Sequence, residues 1–204
     1  MIYKIYGERN SGTNFLEKIL KINFNITIQQ NEWKHSIPLK KEDDSTEFII
    51  IRELPKWLSS MYSSPYHLNR HKNFTDFLML PQSVSEGEKD EHTVDNNKTI
   101  FDIRYSKYNG MMRHFNTYRR VCIVNLDYIQ KDVNCNYFLK SINSIYKLNK
   151  TTPYITNCLH TKDNSTYKNR NTIIKSNDYL SIINSNLNDK IEHEIEALTF
   201  KIKE

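Results

Sequence analysis

Three short runs hold the residues whose types and spacing can do chemistry. The first is Gly7-Glu8-Arg9-Asn10-Ser11-Gly12-Thr13-Asn14, set between a β-branched, aromatic stretch and a helical one. A glycine-bearing turn of this kind presents backbone N–H groups to an oxyanion, and the helix N-terminus adds a partial positive charge. Gly7 and Gly12 stand at the separation of the GxxxxGK[ST] loop. Thr13, however, fills the place of its phosphate-binding Lys, and Asn14 that of its magnesium-binding Ser or Thr. Both losses argue against ATP or GTP hydrolysis. Alone, the run is equally an ordinary β–α turn.

The second run begins at Arg52, at the end of the apolar stretch Glu47 to Ile51. It continues through Pro55 to Ser60, eight residues after the Arg. A guanidinium offers a planar fork to a phosphate, and a hydroxyl in the first turns of the next helix can reach the same group. Taken alone, an Arg ending a strand and a polar helix residue account for it as well. The third run, Trp33-Lys34-His35, lies between the other two. It offers a cation beside the one side chain that ordinarily titrates near neutrality.

Ser11-Gly12-Thr13-Asn14-Phe15, directly after a first strand, resembles the S-G-T-T-x loop of sulfotransferases that use 3′-phosphoadenosine 5′-phosphosulfate (PAPS). The longer string GERNSGTNFL is similar to one branch of that superfamily, and Arg52–Pro55–Ser60 follows the family's 3′-phosphate pattern. The resemblance implies a P-loop-like sulfotransferase fold. It implies that Asn10, Ser11, Gly12, Thr13 and Asn14 wrap the 5′-phosphosulfate while Arg52 and Ser60 hold the 3′-phosphate. The family commonly has Lys or Arg before the Ser. Here that place is Asn10, with Arg9 one residue earlier, so Arg9 and Lys34 compete to meet the bridging oxygen. Between its phosphate motifs the family places a catalytic base, which implies His35 as base and Lys34 as a cation near the sulfonate. Glu32 and Glu8 are reserve bases, Glu8 alternatively orienting the loop or pairing with a cation. A late basic loop in the family closes over the 3′-phosphate. Lys168 and Arg170 are its candidates here, without the GxxGxWK glycines. Asp127 matches an acidic residue after a later strand and reads as structural.

These runs need elements to position them. Ile2 to Tyr6, Asn23 to Gln29, Glu47 to Ile51 and Val121 to Leu126 read as strands. Helical spacing runs over Thr13 to Ile22, from Pro55 through Met61, and over His67 to Leu80 and Phe101 to Tyr118. It returns over Asn136 to Leu148 and as one amphipathic helix from Asp178 to Leu198. On the fourth of these, Arg104 and Lys107 fall three residues apart, either to hold an acidic acceptor or as a solvated face. Residues 81–98, dominated by QSVSEGEKDEHTVDNNK, read as a mobile surface loop, and Thr151 to Asn171 as a second loop. Strands alternating with helices predict an α/β structure, a mostly parallel central sheet flanked by helices, with 1–204 as one domain.

Composition bounds the rest. The chain has 204 residues, 29 Lys and Arg against 24 Asp and Glu, and a formal charge of +5. That excess suits an anionic small molecule and is too mild for a nucleic-acid stripe. No apolar run suits a membrane span. Cys122, Cys135 and Cys158 form neither a disulfide framework nor a metal motif, and the histidines lack a third ligand, so a reducing, cytoplasmic setting without metal is expected. The expected function is transfer of a sulfonate from PAPS to a hydroxyl, leaving adenosine 3′,5′-bisphosphate (PAP). The resemblance makes a saccharide the leading acceptor. A P-loop nucleotide kinase or NTPase, and a non-catalytic nucleotide-binding protein, are the alternatives.

Overall fold

β-Branched and aromatic residues extend the chain over three strands, β1 (Ile2–Gly7), β2 (Ser45–Ile51) and β3 (Val121–Asn125), which pair in parallel in that order. A short strand, β4 (Phe200–Lys203), adds antiparallel to β3. The computed structural model describes residues 2–29, 33–38, 44–65, 68, 70–82, 98–148, 154–156 and 177–204.

The helices are α1 (Thr13–Asn23), α2 (Leu54–Ser63), α3 (Phe74–Met79), α4 (Ile100–Thr117), α5 (Leu126–Ile129), α6 (Asp132–Tyr146), α7 (Asn177–Asn186) and α8 (Asp189–Ala197). Side chains alternate across the sheet and need cover on both faces. Tyr3, Ile5, Phe48, Ile50, Cys122 and Val124 pack against α1 and α6 through Leu16, Leu20, Phe138 and Ile142. Tyr6, Ile49, Ile51, Val121 and Ile123 pack against α4 and α8 through Met111, Ile191 and Ile195. A third cluster joins α2, α3, α4 and α7 around Trp57, Phe77 and Ile100. Polar groups are sealed inside too: His114 of α4 meets Glu47 of β2 at 2.5 Å, both buried.

Gly7 lies opposite Ile50 in the β1–β2 register, so both strands deliver their carboxyl ends to one edge. In open α/β sheets that edge is where ligands bind.

Four expectations are corrected. Asn23 to Gln29 forms no strand: Ile28 makes a single bridge to Tyr3, while Asn23 ends α1 with its amide bonded to Ile19 O and to Ile155 on another segment. Among the described residues of the helix expected over His67 to Leu80, α3 alone is helical, because the Asn73 side chain caps it by accepting from Asp76 N. The single C-terminal helix is two. Asn188 interrupts it, its side chain capping α8 at Ile191 N while its own N–H goes to Tyr105 Oη. Leu126 opens α5 rather than closing β3, because Asn125 caps there, and β4 was not expected from its sequence. The 83–97 part of the 81–98 loop, most of Thr151 to Asn171, Cys158, Glu32, Lys168 and Arg170 lie outside the described residues.

Candidate functional site

The β1–α1 loop is tight at both glycines. A Cβ on Gly7 would come within 2.6 Å of both Ile50 O and Ser11 Oγ. Gly12 has φ +99°, where side chains are strained, and a Cβ there would lie 2.7 Å from Leu126 Cδ1. Asn10 is also left-handed, at φ +60°, a conformation Asn tolerates better than most residues. Ser11 turns inward: its N–H and its hydroxyl both donate to Glu8 O, at 3.1 and 2.7 Å. α1 then starts at Thr13 without a side-chain cap, and its first ladder bond is Leu16 N to Gly12 O. The N–H groups of the first turn are therefore free of helical acceptors and face the sheet edge.

The second run closes on this loop. Arg52 Nη1 donates to Asn10 O at 3.2 Å, and Trp57 Nε1 to Arg9 O at 2.9 Å. The Asn10 amide in turn donates to Ser64 O at 3.1 Å, beside Met61 Sδ, so it is committed to α2. Ser60 is buried in α2, its carbonyl 3.5 Å from that same amide. Thus Asn10, Arg52 and Ser60 do come together around one loop.

The third run lies across the end of β1. Gly7 N donates to Lys34 O, and His35 Nδ1 lies 2.9 Å from Gly7 O. A carbonyl only accepts, so Nδ1 carries the proton and Nε2 keeps a lone pair. Burial lowers the His35 pKa from 6.5 to about 4. The Arg9, Lys34 and Lys107 charges add to the fall, against the opposing pull of the Gly7 carbonyl. The imidazole is therefore neutral at pH 7. Lys34 Nζ donates to Asn14 Oδ1 over the first turn of α1. The Arg9 guanidinium lies 4.9 Å from the centre of the Trp33 ring, and Trp33 meets His35 edge to face. Trp33 therefore backs a cation.

Arg104 and Lys107 are not a solvated face. Both are buried, and Lys107 Nζ donates to His35 O at 3.1 Å. Arg104 is fully enclosed. Nε and Nη2 grip the Glu192 carboxylate at 2.7 and 3.0 Å, Nη1 meets Glu8 Oε2 at 3.0 Å, and Nη2 also reaches Arg52 O at 2.9 Å. With those donors committed to the protein, Arg104 is a scaffold group, and the acceptor-binding role expected of it falls away. Glu8 Oε1 has no partner among the described residues. Burial raises the Glu8 pKa to about 7, and Glu192 adds to the rise, against the pull of Arg104 and Lys107. Glu8 thus pairs with a cation beneath the loop.

Asp127 ties the third strand end to α2, accepting from Glu53 N at 3.0 Å and pairing with Lys56 at 2.8 Å. Sequence reasoning missed Glu192 and Trp57 as parts of this assembly. Nothing in DKIEHEIEA separates Glu192 from Glu194 or Glu196, and only its place beside Ile191 on the apolar stripe hinted at burial. Among the described residues no cluster of three or more His, Cys, Asp or Glu could hold a metal, and no helix is long and apolar enough to cross a membrane. No family model, no curated protein and no solved structure matches the chain.

Proposed function

We propose that the chain is a PAPS-dependent sulfotransferase with a P-loop-like fold, moving a sulfonate from PAPS to a hydroxyl, with a saccharide as the leading acceptor class. The observation that carries the reading is the bond from Arg52 Nη1 to Asn10 O. It joins the two oxyanion-type runs at one sheet edge, on adjacent parallel strands, as a donor phosphorylated at both ends of one nucleoside requires.

Each group then has a task. The uncapped amides at Thr13 and Asn14 receive the 5′-phosphosulfate, and Arg52 with Ser60 the 3′-phosphate. Asn10 is committed to α2, so the cation for the leaving phosphate comes from Lys34, over the first turn of α1, with Arg9 alongside. The acceptor oxygen attacks sulfur and forms the new S–O bond as the bond to the phosphate oxygen breaks. The hydroxyl proton goes to His35 Nε2, and the electron pair of the broken bond stays with PAP. Burial, and after it the Arg9, Lys34 and Lys107 charges, depress the His35 pKa. A polyanionic donor offsets those charges, so binding brings the base back toward the range its task needs. Lys168 and Arg170 remain candidates for covering the 3′-phosphate.

Calorimetry with PAP beside ATP tests the reading. Tighter, magnesium-independent binding of PAP is expected. Preference for ATP with magnesium would overturn it in favour of a nucleotide kinase or NTPase.

A further inference from the structure

Four elements meet at one buried point beside the proposed donor site. Glu8 belongs to the β1–α1 loop, Arg52 to the end of β2, Trp57 to α2 and Glu192 to α8. One side chain, Arg104 of α4, touches all of them. It donates to Glu8 Oε2, to Arg52 O and to both oxygens of Glu192. Its guanidinium also lies 4.9 Å from the centre of the Trp57 ring. The group is wholly buried, so these contacts are not diluted by water.

We infer that Arg104 is a positioning residue that sets the distance between the two oxyanion pockets. The inference rests on the donor reading above. Its contacts bear on both pockets at fixed points. Holding the Arg52 carbonyl fixes the peptide plane from which the Arg52 side chain leaves. Holding the Glu8 carboxylate anchors the residue whose carbonyl accepts both Ser11 bonds, and so the turn into α1. The bidentate grip of Glu192 fixes the rotation of the fork, and Trp57 stacks beside it. A lysine here would keep the charge but offer one ammonium in place of a planar fork with set angles. It could meet Glu8 or Arg52 O, and not both together with Glu192.

The consequence is specific to ligands held at two ends. A nucleoside with phosphates at both ends gains from the second pocket only when the pockets match its span, since the second contact is then intramolecular. A nucleoside with one phosphate does not sense that spacing. Loosened spacing therefore weakens the first kind of ligand much more than the second. Global destabilisation without a change of spacing would lower the melting temperature and leave the ratio of the two affinities alone.

The experiment is calorimetry of PAP and of adenosine 5′-monophosphate on the full chain, wild type and Arg104→Lys, with circular dichroism to establish folding. The wild type is expected to prefer PAP. In R104K, PAP should weaken by roughly 10–100-fold while the monophosphate changes by less than about threefold. If R104K does not fold, Glu192→Gln is measured in its place. It keeps the side-chain shape and releases one arm of the clamp, and a PAP-selective loss of about 3–10-fold is expected. A folded variant that keeps the wild-type ratio overturns the inference and leaves the donor reading standing. A wild type with no preference for PAP overturns the donor reading, and the inference with it.

Discussion

Two junctions leave the same edge of the sheet and are built in opposite ways. At the first, β1 enters α1 through Gly12, with no side-chain cap and with Arg9 and Lys34 close by. At the third, β3 enters α5 through a side-chain cap. The Asn125 side chain accepts from Asp127 N at 2.9 Å, and Asp127 accepts from Glu53 N and pairs with Lys56. Identical topology therefore does not make equivalent sites. Where carboxylate and amide side chains of the chain itself fill the helix end, the junction is structural. Where the cap is missing and the neighbours are cations, the free amides and the local charge both favour an outside anion.

The comparison breaks most visibly at His35. Replacing His35 with Ala should lower turnover by about 10²–10⁴-fold, the usual range for a lost general base, while PAP affinity stays within about threefold. Equal loss of binding and turnover would make His35 a structural part of the loop. The pH profile sharpens this. With a pKa of about 4 in the free protein, the acidic limb of kcat/KM should lie well below pH 6. That of kcat, which reports the donor complex, should lie higher.

His35 and Glu8 also make a paired prediction for stability. The His35 pKa falls from 6.5 to about 4 on folding, so the unfolded chain binds the extra proton between those values. Stability from this group is full above pH 6.5 and is lost as pH falls toward 4, by about 2–3 kcal/mol. The Glu8 pKa rises from 4.5 to about 7, so the folded chain holds the proton there. Its contribution is full below pH 4.5 and is lost as pH rises toward 7, by a similar ~2–3 kcal/mol. Through pH 4.5–6.5 the two slopes oppose and nearly cancel. Glu8→Gln should expose the histidine slope, making stability rise with pH relative to wild type. His35→Gln should expose the reverse. Denaturant titrations at half-unit pH steps would show both. Parallel curves for all three proteins would mean the two groups do not titrate as their burial requires.

What the sequence disclosed follows from locality. The Gly7–Asn14 and Arg52–Ser60 runs are contiguous, and each follows an apolar run that reads as a strand, so both β–α junctions are legible. That β1 and β2 are neighbours is not, since Asn23 to Gln29 also reads as a strand. Nor is the Arg104 clamp. Its carboxylate partner Glu192 lies 88 residues away, among similar glutamates of one helix. A cation at position 104 looks the same in sequence whether it faces solvent or a buried pair. The helix break at Asn188 and the strand Phe200–Lys203 escaped for a related reason. Each is fixed by tertiary partners, Tyr105 for the first and β3 for the second, while its own residues read as a helix interior and a polar tail.

The smallest effects set the two junctions side by side. Gly12→Ala places a side chain at φ +99° against Leu126, which should cost about 1–3 kcal/mol. It also turns the first amides of α1, so PAP affinity should fall by more than the stability change alone explains. Asn125→Ala removes the α5 cap and the bond from its amide to Ile195 O, and should cost a comparable ~0.5–2 kcal/mol. That junction is already filled by protein groups, so PAP affinity should stay within about threefold once the protein is folded. Melting curves and calorimetry on both variants decide the matter. If the loss of affinity is as large for N125A as for G12A, the capped and uncapped junctions are not functionally different, and the anion site cannot be assigned to the first of them on the strength of its open helix end.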